Sequence, residues 1–291
     1  MEWTESLKRS IKYMEDHLME DMGPEDVAAE VFMSPFYFQK GFKIMTGYSV
    51  GEYIRNRRLY LAALEVLSER EKIIDLAYKY GYDTPESFTK AFSRFHGAPP
   101  MQIRGSGGSI RTFLPLTITV TIQGGNKMDY VVERMESFQV IGFKKVFSFE
   151  TAYGEIPKFW EEFCDRCRNG RYEEDVLRTV KDCQVGEFAI SVDDMEGQKQ
   201  FHYFLAGKYN GGPIPEGMEV FEVPACHWAK FRCSGPMPGA LQTVNTRIFK
   251  EWLPGNPEYD IAMPINIEWY SMGDIKSADY ESGIWIPVKQ K

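Results

Sequence analysis

The stretch Ile74-Asp75-Leu76-Ala77-Tyr78-Lys79-Tyr80-Gly81-Tyr82-Asp83-Thr84-Pro85-Glu86-Ser87-Phe88 runs on to Lys90, Phe92 and Phe95. It reads as a helix, a glycine turn and a second helix whose buried face is aromatic. Thr84 or Asp83, just before Pro85, has the character of an N-cap, and Gly97-Ala98-Pro99-Pro100 stops the helix. A looser version of the pattern lies upstream, from Asp26-Val27-Ala28-Ala29 through Ser34-Pro35 to Phe38 and Phe42. Two helix-turn-helix units in tandem present two helices to consecutive turns of a DNA major groove, so the pattern implies double-stranded DNA as a partner.

Outward from this core the helical pattern fills the first 104 residues. Trp3, Leu7, Ile11, Met14 and Leu18 mark an amphipathic first helix ended by Gly23-Pro24. Ser34 with Pro35 opens a helix that runs to Gly47, and a longer one from Ser49 carries Tyr53, Ile54, Leu61, Leu64 and Leu67. Seven helices with no strand signal are expected over 1–104. Arg104-Gly105-Ser106-Gly107-Gly108-Ser109 breaks the chain, and residues 105–128 read as a linker containing a strand, Leu116–Ile122, with period-two alternation. Residues 129–291 read as α+β, a duplication of strand, strand, helix, strand, strand. The first copy is Tyr130–Glu133, Gln139–Phe149, the helix Ile156–Arg168, Glu187–Val192 and Phe201–Gly207. The second is Met218–Val223, Cys226–Cys233, the helix Gly239–Trp252, Ile265–Ser271 and Gly283–Val288.

A net charge of −8 gives no support to a generic basic nucleic-acid binder. Position decides instead. Acids gather in the first helix, while Lys40, Lys43, Arg55, Arg57, Arg58, Lys79, Lys90, Arg94 and Arg104 lie on or beside the proposed reading helices. No apolar run approaches the ~18 residues that cross a bilayer, and Met1-Glu2-Trp3-Thr4-Glu5 lacks a secretory pattern, so a cytoplasmic protein without a membrane partner is expected. Cys164-Asp165-Arg166-Cys167 has C-x-x-C spacing but no second pair, and reads as two reduced thiols on one helix. No metal site and no cofactor are expected.

A recognition helix carries polar side chains outward and bulky apolar ones beneath. In Ser34–Thr46 the underside is Phe38, Phe42 and Met45, leaving Phe36, Gln39, Lys40 and Lys43 outward. In the second unit Pro85, Glu86, Thr89 and Lys90 face out above Phe88 and Phe92, with Arg94 and Arg104 placed for phosphate. Gly41 inside the first reading helix costs about 1 kcal/mol against alanine. The run Met33–Gly47, the entry Tyr53–Arg58, and above all Ile74-x-x-Ala77-x-x-x-Gly81-Tyr82 followed by Phe88, Phe92, Gly97 and Pro100 resemble the DNA-binding domain of the AraC/XylS family. The resemblance implies a seven-helix bipartite reader, with Phe36, Gln39 and Lys40, then Glu86, Thr89 and Lys90, at base-reading positions.

In Pro264-Ile265-Asn266-Ile267-Glu268-Trp269-Tyr270 alternation puts Ile265, Ile267 and Trp269 on one face and Asn266, Glu268 and Tyr270 on the other. A carboxylate among aromatic rings suits a lipophilic cation; a glutamate on an exposed sheet face is the plainer alternative. Ile156-Pro157-x-x-Trp160, Ala206-Gly207 and Glu268-x-Tyr270 through Ile286-Pro287-Val288 resemble the GyrI-like effector-binding domain. The resemblance implies that Glu268 contacts a cationic or amphipathic ligand, with Tyr270, Trp160, Phe163, Tyr203 and Trp285 as candidate pocket aromatics. Together the two resemblances imply a bacterial transcription regulator, an activator working with RNA polymerase on promoter DNA and controlled by a small effector. It would not be an enzyme. The alternative is that the C-terminal fold hydrolyses reactive cyclopropanoid compounds, with Glu268 as base beside Tyr270 or Tyr203.

Overall fold

The computed structural model describes residues 3–68, 70–106, 109–118, 128–194 and 200–291, and the chain divides into two compact units, Met1–Thr121 and Ile122–Lys291. In the first unit the helices are α1 (Trp3–Asp16), α2 (Pro24–Glu30), α3 (Pro35–Thr46), α4 (Val50–Ser68), α5 (Ile73–Lys79), α6 (Pro85–His96) and α7 (Pro100–Ser106). Their ends follow from local chemistry. Ser34 Oγ accepts from the Tyr37 N–H at 3.4 Å and Thr84 Oγ1 from the Ser87 N–H at 3.1 Å, each with proline at the next position. Gly47 and Gly97 close α3 and α6 with φ of 81° and 85°, left-handed values that a side chain would strain. α3 stays helical through the buried Gly41.

The second helix-turn-helix is held by one buried cluster. Leu59, Ala62, Ala63 and Val66 of α4 meet Leu76 and Ala77 of α5, Phe88 and Phe92 of α6, and Ile103 of α7. Each large side chain so buried contributes about 1.5–3 kcal/mol. Beyond α7, Leu116, Thr117 and Ile118 form no strand, which corrects the expected Leu116–Ile122 strand; residues 119–122 lie outside those described. The physical reason is competition. Phe113 is buried among Tyr48, Tyr53 and Phe95, and backbone groups of the segment bond to side chains of the helical unit rather than to a ladder.

The second unit is one antiparallel sheet with helices. Its elements are β1 (Tyr130–Met135), β2 (Phe138–Ser148), α8 (Ala152–Arg168), α9 (Glu174–Asp182), β3 (Phe188–Val192), β4 (Gln200–Lys208), β5 (Glu219–Val223), β6 (Cys226–Ser234), α10 (Gly239–Arg247) with a π-helical continuation Ile248–Trp252, β7 (Tyr259–Ile261), β8 (Ile265–Tyr270) and β9 (Glu281–Gln290). The expected duplication is present, with α9 and β7 as additions the sequence did not announce. Strand order is β1-β6-β9-β8-β3-β4-β2-β5, with β7 on β9. The two copies therefore interlock: the first strand of each pairs with the second strand of the other, and the third strands, β3 and β8, meet in the middle around Ile190 and Ile267. The order reads the same from either end under exchange of copies, a pseudo-two-fold.

Only Pro224 and Ala225 separate β5 from β6, although β5 ends the sheet and β6 lies next to its other end. The sheet must curl to bring them together. Its inner face is the core, where Val140, Ile190, Phe204, Val223, Trp228 and Ile267 pack. Close backbone approach tightens the first half: a Cβ on Gly207 would lie 1.9 Å from the Cys183 carbonyl oxygen, so only glycine fits.

Candidate functional site

The two reading helices differ. On α6, Phe88 and Phe92 are buried underneath, while Glu86, Lys90 and Arg94 are exposed and Thr89 is half-buried, as the sequence pattern requires. Among the described residues Lys90 and Arg94 form no ion pair. On α3, Phe36 and Gln39 are 3% and 6% exposed, which corrects the expectation that they face outward. Phe36, Tyr37 and Phe38 give the first turn no polar side, and a helix apolar all round is buried. The Gln39 Nε2 is buried with no hydrogen-bond partner among the described residues. Lys40 lies with its ammonium 5.8 Å from the Phe36 ring centre, and Lys43 pairs with Glu52 at 2.7 Å. A partly exposed pair of that kind is worth under about 1 kcal/mol, so it does not withhold Lys43 from a phosphate.

Several other cations prove structural. Arg57 is buried and forks onto Glu15 at 2.8 and 2.7 Å. Arg58 donates to the Leu18 and Glu20 carbonyls at 2.6 Å each, and Lys79 pairs with Glu65 at 2.6 Å. Arg104, expected against phosphate, donates to the Val66 and Glu71 carbonyls at 3.2 and 2.7 Å. The last carbonyls of α4 lack helical partners, and the guanidinium supplies one. Arg55 remains exposed.

In the sheet unit, residues paired directly across antiparallel strands share a face. One row runs Phe231, Ile284, Glu268, Ala189, Leu205, Phe143; a neighbouring row runs Asn266, Ser191, Tyr203, and on the other side Cys233, Ser282, Tyr270. Helices cover the wings of this face. From α8, Phe163 meets Phe143 at 5.8 Å and Phe159 meets Phe147 at 5.9 Å, while Trp252 after α10 meets Phe231 at 4.9 Å. The middle strands, β3 and β8, lie between those wings, and Glu268 sits there.

Around its carboxylate the chemistry is aromatic and hydroxylic. The Tyr270 hydroxyl donates to Glu268 Oε2 at 2.7 Å. Trp160 Nε1 donates to the Tyr203 hydroxyl at 2.8 Å and its ring meets Tyr270 edge-on at 5.3 Å. Burial first, and the Glu268 charge second, push the Tyr203 and Tyr270 hydroxyls well above the usual range. The same two causes raise the Tyr153 hydroxyl and the Cys233 thiol to about 12. Yet Tyr153 is 55% exposed. No ion pair to Glu268 exists among the described residues, and Asn266, buried on the same face, has an Oδ1 without a partner.

Of the six aromatic and acidic residues expected here, Glu268, Tyr270, Trp160 and Tyr203 converge. Phe163 packs behind Trp160 at 6.3 Å, against the helix-sheet core. Trp285 does not join them. It pairs with Ile267, one step out of register from Glu268, and so faces the inner core against Phe188 with Lys230 over its ring at 4.1 Å. Tyr153 and Cys233 were missed, because nothing in their local pattern ties them to β8. Cys164 and Cys167 lie on α8, and no group of three or more metal-ligating side chains occurs among the described residues.

Residues 132–288 match the family model of the integron-associated effector binding protein, and residues 27–106 that of a helix-turn-helix domain. The multiple antibiotic resistance protein MarA of Salmonella typhimurium (strain LT2) is 32% identical over 108 residues, 36% of this chain and 85% of that one. The right origin-binding protein of Escherichia coli (strain K12) is 34% identical over 94 residues, and the chain spans only 32% of that relative's length. A structure of SAV2435 bound to tetraphenylphosphonium aligns over 56% of this chain and 94% of its own, at 20% identity and a TM-score of 0.45. No described helix is long and apolar enough to cross a membrane. The chain belongs to the integron-associated effector binding protein family and carries an AraC-type helix-turn-helix domain ahead of the effector-binding fold.

Proposed function

We propose that the chain is a cytoplasmic transcription activator, working with RNA polymerase, that reads promoter DNA with α3 and α6 and takes a lipophilic cation into the cleft at Glu268. It is a sensor rather than an enzyme. The observation that carries the ligand reading is a carboxylate with no cationic partner among the described residues, ringed by Tyr270, Tyr203, Trp160 and Tyr153. A charge so placed lacks its counter-ion, and aromatic faces add cation–π attraction. The unpartnered Asn266 Oδ1 favours a cation that also bears an N–H donor. Phe163 acts behind the aromatic wall. For the reader, Glu86, Thr89 and Lys90 contact base edges and Arg94 a phosphate, with Lys40 and Lys43 contributing from α3.

Titration calorimetry with tetraphenylphosphonium tests the cleft. Glu268→Gln keeps the shape and removes the charge, and a loss of at least about tenfold in affinity, ~1.4 kcal/mol, is expected. Equal affinity in the two proteins overturns the assignment. Mass spectrometry of the recovered ligand separates sensing, which returns it unchanged, from hydrolysis.

A further inference from the structure

We propose that the segment Ile110–Leu116 is a working part of the DNA reader: a clasp, centred on Phe113, that fixes the separation of the two reading helices. The inference rests on the double helix-turn-helix reading above and concerns a stretch that sequence composition marks only as linker.

An unbroken aromatic path joins α3 to α6 through this segment. Phe42 of α3 lies 6.0 Å from Tyr53 of α4, Tyr53 lies 5.9 Å from Phe113, and Phe113 meets Phe95 of α6 edge-on at 6.2 Å. Phe113 also packs edge-on against Tyr48, just beyond α3, at 5.2 Å. Polar contacts pin the clasp at both ends. Where it leaves α7, Ile110 packs on the core of the second helix-turn-helix, and the Arg111 N–H donates to His96 Nδ1 at 3.1 Å. The other nitrogen of that imidazole, Nε2, donates to the Leu59 carbonyl at 3.1 Å, so His96 ties α6, α4 and the clasp together. At the far end the Leu116 N–H donates to the Tyr53 hydroxyl at 3.4 Å, and the Phe113 carbonyl accepts from Arg57 Nη1 at 2.5 Å. Tyr53 and Arg57 are themselves fixed by Glu15 of α1, at 2.7 Å to Tyr53 and 2.8 and 2.7 Å to Arg57.

The segment therefore enters at the second reading unit and leaves at the first. α4 alone links the two units covalently, packing on the first at Tyr53 and on the second at Leu59, Ala62, Ala63 and Val66. A second, lateral bridge stiffens that link. Two helices that must enter the groove one turn apart, roughly 34 Å, gain affinity from a fixed spacing and lose it when the DNA spacing is wrong.

The test uses the full chain and gel-shift titrations on a footprinted site, intact or with one to three base pairs inserted between its two protected segments. Wild type is expected to lose at least about tenfold on insertion of one base pair, because each step rotates the second groove by about a tenth of a turn. Phe113→Ala is expected to cut that insertion penalty to under about threefold, and Phe113→Leu to keep most of it. A second variant replaces 110–116 by glycine and serine at equal length, with helical circular dichroism confirming that both variants are folded. An unchanged insertion penalty in the folded variants overturns the clasp alone. Failure of wild type to protect any duplex overturns the two-site reader and the clasp with it.

Discussion

Glu268 shows how much one residue can say and where it stops. Its place on an alternating strand was legible, because period two puts Glu268 and Tyr270 opposite Ile267 wherever the strand pairs. Two of its neighbours were not, since Tyr153 and Cys233 arrive from elements far off in sequence. Trp285 was misplaced for the same reason: the face of a strand residue depends on register, and register is a property of two strands. Cys233 offers a readout of the surroundings of Glu268 through pH. Its thiol, ordinarily near 9, is pushed to about 12 by burial and then by Glu268. Below the ordinary value it is protonated in folded and unfolded chains alike, and its contribution is whole. Between 9 and 12 the unfolded chain sheds the proton and the folded one keeps it, so stability falls as pH rises. Thermal midpoints from pH 8 to 11 should fall less steeply in Cys233→Ser than in wild type; parallel curves would place the thiol elsewhere. Gly207 is a harder constraint. Gly207→Ala drives a Cβ toward the Cys183 carbonyl and should cost about 1–3 kcal/mol or more in chemical denaturation.

Among the elements, those with their own start and stop signals were read correctly. α3 and α6 each have a hydroxyl cap, a proline and a left-handed glycine, and their boundaries fall there. Thr84→Ala should cost about 1 kcal/mol, seen as a lower thermal midpoint. α9 and β7 carried no such signals: α9 is charged and buries only Val176, and β7 has three residues. The basic residues were harder still, because a sequence lists charges without their partners. Arg57, Arg58 and Arg104 serve the helical fold, which leaves Lys90 and Arg94 as exposed cations on α6. Substituting both by alanine should therefore weaken binding to every duplex through the lost Arg94 phosphate contact, relax discrimination at the base pair that Lys90 reads, and flatten the dependence of log K on log salt by about 1 unit. A slope equal to wild type in anisotropy titrations would show that α6 meets no phosphate through them. The buried aromatic first turn of α3 marks the opposite case, where surroundings override a helical wheel.

At the scale of the molecule, the division into an all-helical unit and a sheet unit followed from the switch in hydrophobic period. The duplication followed from element order. The curl of the sheet did not, since it is imposed by two residues between β5, at one end of the order, and β6, next to the other end. A sensor coupled to a reader obeys reciprocity: whatever factor tetraphenylphosphonium applies to DNA affinity, saturating DNA must apply to tetraphenylphosphonium affinity. Calorimetry with and without the duplex checks this, and a factor of one in both directions would leave the two units uncoupled. The interlocked copies carry a last implication. Ser191 follows Ile190 as Glu268 follows Ile267, so the position that bears the carboxylate in one copy bears a hydroxyl in the other. Two identical chains in that arrangement would have set a pair of like charges side by side across the axis. A fused tandem escapes that repulsion and holds its carboxylate off-centre, so that, under the ligand reading proposed above, it should admit one guest per chain, always the same way round.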